Sequence, residues 1–147
     1  MSEAVSYEIE TLSDEVDDGT MPRNVSALAD AVVGHRIVMI ERDAVIPESA
    51  NSWRGRGTAL TLDSGKRVFL VDTDDCCAFT ELEAFLLHPE RIDHVITGVG
   101  TTDEFTRWHI YADMGDVLEL TVGWSSGNPF YYGYGFQIAV VDEPAQG

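Results

Sequence analysis

The sequence predicts an α+β domain: a mainly antiparallel sheet of about seven strands, two short helices and a disordered acidic N-terminus. Three observations carry that expectation. Apolar spacing switches from a helical period to alternation after Gly34, a hairpin signature surrounds Asp63-Ser64-Gly65, and the C-terminal third reads as a meander broken by polar, glycine-bearing turns.

Residues 1–23 are polar and acidic, with too few large apolar groups to offset the entropy of ordering, so they are expected to be disordered. Asn24 or Ser26 can cap a first helix over 25–33, in which Val25, Leu28, Ala29 and Val32 share a face and Gly34 supplies the stop. Residues 36–41 read as a strand, followed by a polar loop over 44–57. The hairpin pairs 58–62 with 66–71. Phe79, Leu82, Phe85 and Leu86 then recur at helical spacing and predict a second helix over 76–87, ended by Pro89. The meander comprises 93–99, 105–112, 117–124 and 134–141, and alternation puts Trp108, Ile110, Leu118, Leu120, Val122 and Trp124 on one core-facing side.

A chain of 147 residues is the size of one domain, expected over 24–143, and can bury a sufficient core without disulfides or metal. No apolar run is long enough to span a bilayer and no signal peptide opens the chain, so a cytoplasmic protein is expected. The 26 acidic residues face 9 basic ones, for a formal charge of -17. Such a balance argues against direct binding to a nucleic-acid backbone, which needs a basic patch. Seven of the acids (Glu3, Glu8, Glu10, Asp14, Glu15, Asp17 and Asp18) lie in the first 20 residues. The rest of the chain is still acidic. High charge serves solubility, and a geometric array of carboxylates could also imitate a nucleic-acid backbone toward a basic groove.

The segment Asp72-Thr73-Asp74-Asp75-Cys76-Cys77 concentrates three carboxylates and both cysteines. Adjacent cysteines lack the separation by which paired thiolates turn toward one zinc ion. Asp74 or Asp75 capping the second helix, with the cysteines packed behind, is the structural reading. Asp72, Asp74, Asp75, Cys76 and Cys77 are the metal or thiol candidates should the segment carry chemistry, although the spacing is not that of an EF-hand. Gly123-Trp124-Ser125-Ser126-Gly127 matches a nucleophile elbow in pattern, but Asn128-Pro129 forbids the helix an elbow enters, and no histidine follows. Gly98-Val99-Gly100 and Gly133-Tyr134-Gly135 read as bends or bulges. His94 and His109 are the only histidines placed to meet across one hairpin. No catalytic residue and no cofactor is assigned. The aromatic run Phe130, Tyr131, Tyr132 and Tyr134, with Trp124 before it, is the candidate partner-binding surface, because a turn cannot bury so many rings.

Gly-His-Arg-Ile at 34–37, the Asp-Ser-Gly hairpin, Asp-Cys-Cys at 75–77 and Gly-Asn-Pro-Phe-Tyr-Tyr-Gly-Tyr-Gly-Phe at 127–136 together resemble an uncharacterised family of small proteins from actinobacteria and their bacteriophages. The resemblance covers about 32–142 and transfers no activity or site residue; it implies a phage-type accessory protein inside a bacterial cell. The expectation is therefore a non-enzymatic protein that binds a host or phage protein. An acidic nucleic-acid mimic and a metal- or thiol-dependent enzyme centred on 72–77 are the other two readings.

Overall fold

Alternating apolar residues form nine strands among the described residues of the computed structural model, which are residues 10, 20–44, 57–75, 78–125 and 135–142. A helix α1 (Thr20–Val32) precedes β1 (Ile37–Arg42), β2 (Gly57–Leu62), β3 (Lys66–Val71), β4 (Thr73–Asp75) and β5 (Ala78–Leu87). One 3-10 turn (Pro89–Arg91) then leads to β6 (Gly98–Thr102), β7 (Arg107–Ala112), β8 (Gly115–Ser125) and β9 (Gln137–Asp142). The strands make two antiparallel sheets, ordered β1-β2-β3-β9 and β4-β5-β8-β7-β6. No helix among the described residues is long and apolar enough to cross a membrane.

The hairpin, the second and third meander strands and the core stripe appear where the alternation predicted them, whereas the fourth meander strand, β9, pairs with β3 in the first sheet. Trp108, Ile110, Leu118 and Leu120 are fully buried, Val122 nearly so, and Trp124 is half-buried against them. They meet Leu60, Leu62, Val68 and Leu70 of the first sheet, and Met21, Leu28 and Val32 of α1 close the same core. Burying each such side chain contributes about 1.5–3 kcal/mol, which makes this layer the main source of stability.

The second predicted helix is a strand. β5 carries a bulge at Glu83, where its register against β8 shifts between Leu82 and Ala84. Thr80 and Leu82 face inward before the extra residue, and Phe85 and Leu87 after it. One inserted residue thus turns a spacing of two into three and imitates helical periodicity. With no helix there, the backbone of Asp74 and Asp75 pairs in β4 with Phe79 and Ala78 instead of opening a helix. The bulge's free backbone groups are taken by side chains from elsewhere. Asp72 Oδ1 accepts from the Leu82 N–H at 3.2 Å, and the Arg42 guanidinium donates to the carbonyls of Leu82 at 2.8 Å and Glu83 at 3.1 Å.

α1 begins at Thr20, earlier than predicted, so the expected disordered tail through residue 23 is too long. Pro22 sits in the first turn, where its missing N–H costs nothing, and Met21 beside it is fully buried. Gly34 ends the helix segment at φ 89° as expected. Asn24 is no cap. Its side chain behaves as a strand backbone would, donating to the Phe136 carbonyl at 2.7 Å and accepting from the Phe136 N–H at 3.0 Å. This ties α1 to the entry of β9, and Phe136 meets Trp108 edge to face at 5.3 Å between centroids. The first meander strand is also displaced, from 93–99 to Gly98–Thr102. Gly98 is no bend; it lies in β6 opposite Tyr111, whose ring fills the space a side chain would need.

Two outcomes follow. Gly135 has φ 74°, and a Cβ there would fall 2.5 Å from Asn24 Cγ; Gly135→Ala is expected to cost about 1–3 kcal/mol and Asn24→Ala about 1–2 kcal/mol in urea unfolding. The double variant should lose less than their sum, because both disrupt one contact. Asp63, in the β2–β3 turn, is the second case. Desolvation raises its carboxyl pKa, but hydrogen bonds from the Arg36 backbone and His35, with the charges of His35 and Arg36, outweigh it and leave the group below the ordinary 3.8. A depressed folded-state pKa stabilises above the unfolded value and is lost as pH falls through the folded one. Wild type and Asp63→Asn should therefore differ at pH 7 and converge as pH falls through the lowered folded-state value in the same assay.

Candidate functional site

The turn between β6 and β7 has an unusual backbone. Asp103, Glu104 and Phe105 all adopt left-handed φ, at 56°, 57° and 62°. Each such residue costs roughly 1–2 kcal/mol when it carries a Cβ, so the turn persists only if its surroundings over-determine it. They do. The Thr106 hydroxyl donates to the Asp103 carbonyl at 2.6 Å, the Trp124 indole to Glu104 at 3.0 Å and the Trp108 indole to Phe105 at 2.9 Å. Val122 N–H donates to the Thr106 carbonyl at 2.8 Å, and the Phe105 ring is buried in the core.

The two N–H groups that a left-handed turn points outward are taken by one carboxylate. Glu10 Oε2 accepts from Glu104 N–H and Oε1 from Phe105 N–H, both at 2.9 Å. Convergent backbone N–H groups of this kind form an anion-binding nest. Beside it lies a cavity of about 330 Å³ between α1 and β6, lined by Glu10, Arg23, Val25, Ala29, Val99 and Phe105 among others. Its volume suits a small ligand or one or two side chains of a peptide. An apolar chamber with a carboxylate-binding nest at its edge recognises an acidic group joined to an apolar one.

A second polar constellation occupies the outer face of the β5-β8-β7-β6 sheet. His109 on β7 is directly opposite Glu119 on β8. Asp116 sits three residues before Glu119, a separation that normally sends side chains to opposite faces. A register shift between Ile110 and Tyr111 makes Val117 the extra residue, pairs Asp116 with Tyr111 and so returns Asp116 to the face of His109. His109 Nδ1 lies 3.1 Å from Asp116 Oδ2, and its Nε2 lies 2.9 Å from Thr102 Oγ1. His88 Nε2 is 2.6 Å from Glu119 Oε2, and Arg107 is 3.5 Å from Oε1. Arg91 donates to the Asp116 carbonyl at 2.9 Å. Glu90, at the exposed edge, is held below the usual carboxylate range first by its own backbone N–H and further by Arg91 and His88, against desolvation that raises it.

Of the residues singled out by sequence, Trp124 is half-buried and its indole is engaged by the left-handed turn. Phe130, Tyr131, Tyr132 and Tyr134 lie outside the described residues, as do Cys76 and Cys77. Asp72 supports the β5 bulge. His94 and His109 are not partners: His94 Nδ1 is 3.4 Å from Asp113, whereas His109 pairs with Gly100 and Glu119. Sequence reasoning passed over Glu10, the 103–105 turn, Asp116 and Glu119. The first two carry no residue-type signal, because Asp-Glu-Phe is not a left-handed motif. The last two are misplaced by any reading that assumes unbroken alternation.

The chain belongs to the family described as a domain of unknown function, DUF7448, whose model matches residues 30–138. No curated protein and no solved structure matches it. Both the left-handed turn and the outer-face cluster lie inside the matched span, while Glu10 lies outside it.

If Glu10 helps hold the turn, Glu10→Ala should lower unfolding free energy by about 1–2 kcal/mol. Adding Glu104→Gly should recover part of that loss, since glycine adopts positive φ without penalty. Urea melts of the three proteins give both numbers.

Proposed function

We propose that this protein is a non-enzymatic binding module, a phage-type accessory protein of the bacterial cytoplasm, that captures a segment of a host or phage protein. The capture site is the left-handed turn with its adjoining cavity, and the partner segment presents a carboxylate next to an apolar side chain. One observation carries this reading: Glu10 already delivers a carboxylate to two backbone N–H groups at 2.9 Å, as a bound peptide's acidic group would. Backbone N–H donors on a braced turn need no rearrangement to receive it, which limits the ordering cost of binding. Trp124, whose indole braces the turn, is proposed to extend the contact area around this anchor, and the aromatic run at 130–134, outside the described residues, is proposed as a further partner-binding segment.

The charge balance favours a second reading, in which the acidic surface occupies the basic groove of a nucleic-acid-binding protein. The two make different demands on salt. Association through an acidic surface weakens steeply as ionic strength rises, whereas a nest-and-cavity contact largely persists.

The test uses the full chain carrying Glu10→Ala and a synthetic peptide of residues 1–19 supplied in trans. Calorimetry should show one peptide bound per chain, with the same peptide carrying Gln at position 10 at least about tenfold weaker, the equivalent of 1.4 kcal/mol. Equal binding of both peptides, or of neither, would refute the capture site.

A further inference from the structure

We propose that His109, Asp116 and Glu119 form a binding site for one first-row divalent transition-metal cation, of which Zn²⁺ is the natural occupant. One ligand atom from each of the three residues lies within 4.8 Å of the others. The set is assembled by the bulge at Val117, which brings two carboxylates three residues apart onto one face beside an imidazole on the neighbouring strand.

Burial makes the arrangement informative. The side chains of His109, Asp116 and Glu119 are only 8%, 15% and 18% exposed. Two carboxylates this shielded need positive charge close by, because desolvating anions is costly. The nearest guanidinium groups are poorly placed for that task, which leaves it to an ion or to the imidazoles, His88 Nε2 at 2.6 Å from Glu119 and His109 Nδ1 at 3.1 Å from Asp116. Arg91 donates to the Asp116 backbone carbonyl, and Arg107 is half-exposed and 3.5 Å from Glu119. A divalent ion among the three side chains would neutralise both carboxylates at once.

The surroundings also match what metal sites require beyond their ligands. In the tautomer that donates from Nε2–H to Thr102 Oγ1, Nδ1 would turn a lone pair toward Asp116 Oδ2, 3.1 Å away, and a bound ion would replace the hydrogen bond between them. His88 and Arg107 orient Glu119 from its outer side, which leaves lone pairs on its two oxygens for an ion. Such outer-shell partners fix ligand orientation. One nitrogen and two carboxylate oxygens, without thiolate, select borderline divalent ions over Ca²⁺ or Mg²⁺, which prefer all-oxygen sites, and over Cu(I), which prefers sulfur.

The opposing account is that protons on His109 and His88 supply the positive charge and no ion binds. The two are separated by titrating the full, chelator-treated chain with Co²⁺ at pH 7 and following the visible d–d absorption. A ligand-field band that saturates at one Co²⁺ per chain and is displaced by one Zn²⁺ is the expected result. His109→Gln should abolish it, Thr102→Val should weaken the affinity about 10- to 100-fold, and His35→Gln in the connection between α1 and β1 should leave it unchanged. The wild-type titration decides the matter even if a variant fails to fold: absence of a saturable one-to-one band overturns the proposal. So does a band that survives His109→Gln in a chain with native circular dichroism.

Discussion

Strand β8 is the constraint on which the rest of this structure depends. It is the longest strand described, at eleven residues, and it pairs along its length with β5 on one side and β7 on the other. Its inward side chains, Leu118, Leu120 and Val122, form the middle of the core. Both of its pairings contain a register shift, one from Glu83 on β5 and one from Val117 on β8 itself. Because alternation has a period of two, each inserted residue reverses the faces beyond it. The core stripe therefore survives only because each bulge is placed where the partner's burial pattern also changes.

Each irregularity creates unpaired backbone groups, and long-range side chains take them up. Arg42 and Asp72, both from the first sheet or its exit, satisfy the β5 bulge. Asn24 satisfies Phe136, and Thr73 and Thr80 close on Gly135, donating to its carbonyl at 2.7 Å and accepting from its N–H at 3.0 Å. A buried polar group left without a partner costs about 1–3 kcal/mol, so these contacts are as necessary to the fold as the apolar layer. They also join the two sheets through polar contacts as well as a shared core.

The left-handed turn shows the same logic turned toward function. Three strained residues are held by two indoles, a hydroxyl, a strand N–H and one carboxylate. Four of those five supports come from the framework, and the carboxylate comes from a residue far away in the chain. The framework therefore presents the N–H pair, and Glu10 is the element a competing acidic group could replace. On the far side of β6 the His109 cluster is a separate arrangement, linked to the turn through β6, which carries Thr101 toward the cavity and Thr102 toward the imidazole, and through β7, which carries Trp108 and His109.

Local pattern determined much of this molecule. The alternation around Leu60, Leu62, Val68 and Leu70, the Asp63-Ser64-Gly65 turn and the stripe from Trp108 to Trp124 are properties of short windows, and hydrophobic burial acts on them directly. Membership of an uncharacterised family was also expected, and a family model of unknown function matches residues 30–138. What only the tertiary structure decided were the places where a window misleads. The helix read over 76–87 is a bulged strand because β8 offers it a partner, and a three-residue spacing is equally compatible with either. Asp116 joins His109 because an inserted residue on β8 reverses its direction, and Glu10 reaches Phe105 across a separation of 95 residues. Register and long-range hydrogen bonds are pairings between distant segments, and no single segment of sequence contains its partner.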